Sequence, residues 1–108
     1  MDAELAGWTA EEQNLARIVF ERAHKREVDV LIDRLRSQVS ALSSAEQIWQ
    51  LHDFLSVQRH AIEGRLVFRF EGLLFVFAGF VREGLISLEE LEGLSSDKRA
   101  KISALARF

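Results

Sequence analysis

The chain has 108 residues, of which 48% are hydrophobic and 29% charged, and its formal net charge is -3. These values are typical of one soluble globular domain. They exclude a disordered tail and argue against a nucleic-acid binder, which usually carries a basic surplus. Because cysteine is absent and the N-terminus is unlike a signal peptide, disulfides and cysteine-ligated zinc are excluded and a cytoplasmic location is expected.

The first predicted element is a long helix over residues 10–42. It opens on a capping-box pattern, Thr9 followed three residues later by Glu12, and no strong helix breaker precedes the end of the range. A helix of this length is roughly 50 Å long at 1.5 Å per residue. A compact domain of this size has a radius of gyration of about 13 Å, so we expect the helix to project as a stalk.

The C-terminal half of this helix carries an apolar seam in a/d spacing. The seam residues are Val28, Ile32, Leu35, Val39 and Leu42. A narrow apolar seam on a projecting helix needs a partner, and a second copy of the chain is the simplest one. We therefore predict a homodimer with these residues at its interface. The alternative is that the seam packs on the second helix of its own chain.

Four shorter helices are predicted after the stalk, and together they should form a small helical-bundle head. Their expected ranges are 45–63, 66–82, 88–93 and 96–107. The second helix follows a capping box that pairs Ser43 with Glu46, and Gly64 closes it. Serines before the last two ranges, including Ser87 and Ser95 or Ser96, are further N-cap signals. With no proline in the chain, the prediction is a single all-α domain over residues 1–108.

The third predicted helix is apolar nearly all round. Five phenylalanines fall within it: Phe68, Phe70, Phe75, Phe77 and Phe80. Charged residues interrupt its first half, and the uninterrupted part is too short for the ~20 residues that a bilayer requires. We therefore expect no membrane span and interpret the segment as the central helix of the bundle. The alternative is a phenylalanine-lined pocket that carries a small ligand or chromophore.

The second predicted helix contains the polar stretch WQLHDFLSVQRH, residues 49–60. On a helical wheel Ile48, Leu51, Leu55 and Ile62 form a core stripe. An adjoining stripe holds Trp49, His52, Ser56, Arg59 and Glu63, flanked by Asp53 and His60. An aromatic anchor among charged groups is typical of a protein-binding hot spot. The alternative is a half-buried tryptophan at the edge of the bundle, with solvated charges beside it.

Catalysis and metal binding are not favoured by these residues. His52 and Asp53 are neighbours on a helix, so they should point about 100° apart and form no dyad with each other. The histidines are His24, His52 and His60, too far apart for the usual ligand spacing. We predict a protein that is not an enzyme and has no metal or cofactor.

Several short motifs together resemble the fluorescence recovery protein family. They are Trp49, the Leu-His-Asp-Phe-Leu-Ser run at 51–56, Arg59, Gly64, the Phe-Val-Phe-Ala run at 75–78, the Glu-Gly-Leu run at 83–85 and Asp97-Lys98. The resemblance covers about residues 10 to 108. It implies a non-enzymatic, all-helical homodimer that binds the light-activated red form of the orange carotenoid protein and speeds its return to the orange form.

The resemblance also implies two contact regions for that partner. One matches Trp49, His52, Asp53 and Arg59, and the other lies on the helical head and includes Phe75 and Lys101. After Gly64 the photosynthetic members typically carry Lys-Tyr-Asp-Tyr-Arg-Tyr-Ser, whereas this chain has Arg-Leu-Val-Phe-Arg-Phe-Glu at 65–71. The tyrosine hydroxyls and the aspartate are absent. The alternative is therefore a diverged homologue that serves a different protein partner.

Overall fold

The computed structural model describes residues 7–108, and within that range it contains helices and no strand. The elements are α1 (Ala10–Ser40), α2 (Ala45–Glu63), α3 (Leu73–Arg82), a 3-10 helix (Leu88–Leu91) and α4 (Ser96–Ala106). The predicted all-α class and long N-terminal helix are confirmed, and α1 has 31 residues. It ends at Ser40, two residues before the predicted end.

The chain divides into two compact units, and the boundary falls inside α1. The first, called the head, comprises Met1–Arg26 and Phe68–Phe108; the second, called the hairpin, comprises Glu27–Val67. The expectation of one domain over residues 1–108 stays a prediction. No helix in the described part of the chain is long and apolar enough to span a bilayer.

Three of the predicted N-terminal caps are confirmed by hydrogen bonds. The Thr9 N–H donates to Glu12 Oε1 at 3.0 Å and the Glu12 N–H donates to Thr9 Oγ1 at 3.1 Å, a complete capping box. Ser87 and Glu90 form the same motif at the 3-10 helix. At α4 the Ser95 side chain accepts from the Lys98 N–H. These local bonds fix where α1, the 3-10 helix and α4 begin.

The predicted cap of α2 is wrong by one residue. The N-cap is Ser44, whose Oγ accepts from the Gln47 N–H at 3.2 Å, and the Gln47 amide oxygen accepts from the Ser43 N–H at 2.6 Å. With Ser44 as the N-cap, Gln47 and not Glu46 occupies the third helical position, and its side chain reaches back to Ser43 instead of to the N-cap itself. Gly64 closes the helix, as predicted.

The third predicted helix begins at Leu73 and not at residue 66. Gly72 immediately precedes it with φ 73°, a left-handed conformation that interrupts a right-handed helix. Phe68 and Phe70 therefore lie in an irregular segment. Their i, i+2 spacing places both rings on one side of an extended chain, and the ring centroids lie 5.0 Å apart. This alternation with Arg69 and Glu71 was the sequence signal against a helix.

The core of the head is built by α1, α3 and the segments that follow α3. Its buried apolar residues are Trp8, Ala16, Val19, Phe20, Ala23, Leu73, Phe77, Ala78, Phe80, Leu85, Ile86, Leu91, Leu94 and Ile102. The Phe77 and Phe80 side chains are 0% exposed, with ring centroids 6.3 Å apart. Phe68 packs edge-on against Phe20 at 5.1 Å. The predicted central role of the phenylalanine-rich segment is therefore confirmed for α3.

Two carboxylates connect α1 to the later segments of the head. Glu12 accepts from the Ser95 N–H at 2.8 Å and from Lys98 Nζ at 3.1 Å. Burial raises the pKa of Glu12, but the hydrogen bonds from Thr9, Ser95 and Lys98 outweigh that effect and lower it below its ordinary value. Glu90 accepts from the guanidinium groups of Arg22 and Arg26 at 3.0 and 2.9 Å. Both carboxylates are thus held ionised within the head.

The hairpin pairs the C-terminal part of α1 with α2. The Arg34 guanidinium lies 4.6 Å from the centre of the Phe54 ring, and Glu27 forms an ion pair with Arg65. No residue of α2 is buried. The predicted core stripe of α2 is therefore wrong, since Ile48 and Leu55 are exposed and Leu51 and Ile62 only half-buried. Two paired helices bury only one side of each other, which leaves the rest of both apolar stripes in solvent.

Candidate docking face

Trp49 and the polar residues of its stripe lie on one side of α2. Because α2 is a continuous helix from Ala45 to Glu63, the spacings of 3 and 4 residues between Trp49, His52, Ser56, Arg59 and Glu63 place them in one row. The Trp49 side chain is 65% exposed. The half-buried tryptophan of the alternative interpretation is therefore wrong for this chain. We call these five residues, with Asp53 at their edge, the docking face.

Two polar pairs are formed within the docking face. His52 Nδ1 lies 3.3 Å from Asp53 Oδ1, so the prediction that these neighbours would point apart is wrong. Both side chains are exposed and bend toward each other across adjacent helical positions, and solvent screens the pair. Arg59 Nε donates to Glu63 Oε2 at 3.1 Å, one helical turn further on. The charged groups around the indole are thus partly satisfied by one another.

The docking face adjoins exposed aliphatic side chains. Ile48 and Leu55 lie on the edge of the apolar stripe nearest to Trp49, and both are exposed. An exposed indole beside aliphatic groups can enter an apolar pocket, while Arg59 can bind a carboxylate and Asp53 can accept hydrogen bonds. Such an arrangement is suited to contact with another protein surface. The sequence predicted that the two stripes adjoin, but not that Ile48 and Leu55 would be exposed.

The predicted dimer seam on α1 divides into two parts. Val28, Ile32 and Val39 are exposed, whereas Leu35 and Leu42 are half-buried. Leu42 lies in a groove of about 210 Å³ between the facing ends of α1 and α2, together with Gln38, Ala41, Gln47, Gln50 and Leu51. The alternative in which the seam packs on the second helix of its own chain thus describes part of it. The other part is left unpartnered within the hairpin.

The two remaining predicted contact residues belong to the head. Phe75 projects from α3 and is 68% exposed, unlike the buried Phe77 and Phe80 of the same helix. Lys101 is exposed on α4. The structure thus groups Trp49, His52, Asp53 and Arg59 on one helix, while Phe75 and Lys101 lie in the other compact unit.

The two grooves described within residues 7–108 have no phenylalanine in their lining. Phe77 and Phe80 fill the interior of the head. A second groove, of about 390 Å³, lies between the 3-10 helix and α4 and is lined by Leu88, Glu89, Glu92, Ser96, Arg99, Ala100 and Ser103. Across residues 7–108 no three histidine or carboxylate side chains come together in a way that could hold a metal ion.

Comparison with known proteins gives a consistent result across sequence and structure. Residues 8–106 match the family described as photoprotection regulator fluorescence recovery protein. The chain is 42% identical over 103 residues to the fluorescence recovery protein of Synechocystis sp., covering 95% of this chain and 94% of that protein.

Two solved structures are also similar to this fold. The fluorescence recovery protein of Synechocystis sp. PCC 6803 superposes with a TM-score of 0.87 and 42% identity, covering 94% of this chain and 99% of the other. The Fremyella diplosiphon fluorescence recovery protein gives a TM-score of 0.87 with 40% identity and the same coverage. The chain therefore belongs to the fluorescence recovery protein family of photoprotection regulators.

Proposed function

We propose that this chain is a non-enzymatic homodimer that binds the orange carotenoid protein through the docking face and shifts its conformational equilibrium. The proposal depends chiefly on the exposed indole of Trp49, which lies on a helix with no buried residue, in the same row as His52 and Arg59. A protein that binds one state of a partner better than another neither makes nor breaks covalent bonds. It only changes the relative stability of the two states and of the transition state between them.

The homodimer is supported by the apolar surface that the hairpin leaves in solvent. Val28, Ile32 and Val39 on α1 and Ile48 and Leu55 on α2 are all exposed, and each group adjoins the half-buried side of its helix. Monomeric proteins rarely expose large apolar patches, so exposed aliphatic side chains along both helices of the hairpin favour a partner that covers them. Two hairpins that cover these residues would form a four-helix bundle with an internal apolar core. The docking face would then lie at the edge of that bundle.

The head supplies the second proposed contact, through Phe75 and Lys101. Phe75 has no packing role in the core of the head, because most of its side chain is in solvent. An exposed aromatic residue next to a basic helix is a suitable anchor for a second region of the partner. Substitution of either residue should weaken partner binding less than substitution of Trp49, since the docking face has more charged groups around its anchor.

One observation favours a different protein partner. Leu66 and Val67 are exposed aliphatic residues at positions where the photosynthetic members typically carry a tyrosine and an aspartate. Phe68 and Phe70, by contrast, pack among the aromatic rings of the head, so their missing hydroxyls alter the surface less. A partner adapted to this chain would present an apolar group opposite Leu66 and Val67. The docking face itself would be used in the same way.

Mixing the purified chain with photoconverted orange carotenoid protein tests the proposal. We expect the orange absorption to recover faster in the dark when the chain is present, in proportion to its concentration. Bovine serum albumin at the same concentration serves as the protein control. An unchanged recovery rate at a large excess of the chain would contradict the proposed partner.

A further inference from the structure

We propose that Glu63 is an internal competitor for Arg59, and that the group which Arg59 receives from the partner is a carboxylate. This inference rests on the proposed function of the docking face. In the structure Arg59 Nε donates to Glu63 Oε2 at 3.1 Å. A guanidinium presents five donors in a planar fork that matches a carboxylate. Glu63 therefore occupies the geometry that an aspartate or glutamate of the partner would take.

Both side chains of the Arg59–Glu63 pair are exposed, so a carboxylate of the partner can reach Arg59 and replace Glu63. The Arg59 side chain is 79% exposed and the Glu63 side chain 56% exposed. An exposed i, i+4 ion pair contributes little to helix stability, because solvent screens it and two long side chains must be ordered to form it. Glu63 is also the last residue of α2, where the helix dipole disfavours a negative charge. Exchange of Glu63 for a carboxylate of the partner thus costs the chain little.

The His52–Asp53 pair is the other polar pair of the docking face, and it indicates which polar groups a complementary partner surface would carry. His52 and Asp53 lie between Trp49 and the Arg59–Glu63 pair along the helix, and Asp53 Oδ1 is 3.3 Å from His52 Nδ1. A matching surface has an apolar pocket for Trp49, a carboxylate facing Arg59 and a hydrogen-bond donor facing Asp53. Because the internal pair is exposed and screened, Arg59 can exchange Glu63 for the carboxylate of the partner when such a surface binds.

The test is a double-mutant cycle between Arg59 and Glu63, measured as the dissociation constant for photoconverted orange carotenoid protein. Glu63→Gln should tighten binding about two- to fivefold, because a neutral amide competes less strongly than a carboxylate for the Arg59 guanidinium. In the Arg59→Ala background, Glu63→Gln should change nothing beyond the control. Circular dichroism should show equal helicity for all of these variants.

Asp33→Asn on α1 is the matched control. Asp33 pairs with Arg36 at 3.9 Å, both side chains are largely exposed, and the substitution removes the same charge from the same unit. Two results would overturn the competition between Glu63 and the partner. One is that Glu63→Gln changes the affinity no more than Asp33→Asn does. The other is that Glu63→Gln still raises the affinity when Arg59 is replaced by alanine. If Arg59→Ala binds the partner as tightly as the natural chain, Arg59 does not contribute to binding at the proposed docking face.

Discussion

The head and the hairpin contain similar kinds of apolar residues but differ in how far they bury them. In the head, Phe77 and Phe80 have no exposed surface and pack against α1 and the segments after α3. In the hairpin, no residue of α2 is buried, and Ile32, Ile48 and Trp49 all face solvent. The head is therefore stabilised by its own core. The hairpin has apolar surface whose burial requires another molecule, which is where binding energy is available.

The largest effect is expected from the core of the head. Phe77→Ala removes a fully buried ring and should lower the free energy of unfolding by about 3–5 kcal/mol, because the cavity left behind cannot collapse completely. Urea denaturation followed by circular dichroism measures this. Phe75→Ala, which truncates an exposed ring on the same helix, should change the unfolding free energy by about 0.5 kcal/mol or less. Equal destabilisation by the two variants would refute the division between core and surface on α3.

The hairpin should respond to substitution through assembly and not through folding of the head. Ile32→Glu places a charge in the proposed apolar interface, so it should weaken the dimer at least about 100-fold and give a monomer at micromolar concentration. Sedimentation velocity measures the change. Val30→Glu lies two residues away on a different side of α1 and should leave the dimer intact. If both variants or neither dissociate, the seam is not the interface.

A smaller effect is expected from Glu90, which connects α1 to the 3-10 helix of the head. The guanidinium of Arg26, with the Ser87 N–H and Arg22, lowers the pKa of Glu90 to about 2 from its ordinary 4.5, against the opposing effect of burial. The stability that Glu90 contributes is therefore complete above about pH 4.5 and is lost as the pH falls toward 2. Glu90→Gln should cost about 1–2 kcal/mol at pH 7, since the arginine partners are partly solvated.

Urea denaturation at a series of pH values measures the contribution of Glu90. The difference in unfolding free energy between the natural chain and Glu90→Gln should shrink as the pH falls from 4.5. Glu89→Gln, at a neighbouring exposed position, is the control and should match the natural chain at every pH. A difference that is independent of pH would mean that the ion pairs of Glu90 do not stabilise the head.

Local signals in the sequence predict most of the helices, because hydrogen bonds between near neighbours determine where a helix begins. The Thr9–Glu12 capping box is formed as predicted, and Ser87 is an N-cap as predicted. The start of α3 was missed because the phenylalanine-rich segment was assigned to a helix from its apolar content. The alternation of Phe68 and Phe70 with Arg69 and Glu71 pointed to an extended segment, but the left-handed conformation of Gly72 is visible only in the structure.

The docking face was predictable in composition but not in its internal contacts. Helical spacing places Trp49, His52 and Arg59 in one row, and the structure confirms the helix that carries them. Whether Trp49 is exposed depends on what packs against α2, which a single sequence does not specify. The contact between His52 and Asp53 depends on side-chain rotamers that a helical wheel omits. Exposure and pairing thus required the three-dimensional structure.

One affinity measurement shows whether Trp49 anchors a partner on a surface that the chain does not use for folding. The dissociation constant for photoconverted orange carotenoid protein should be about 30-fold or more weaker for Trp49→Ala, the size expected for a hot-spot tryptophan. Val57→Ala truncates a similarly exposed residue outside the docking face and should bind as the natural chain does. Equal affinities for the two variants, with both folded, would mean that Trp49 does not anchor this partner.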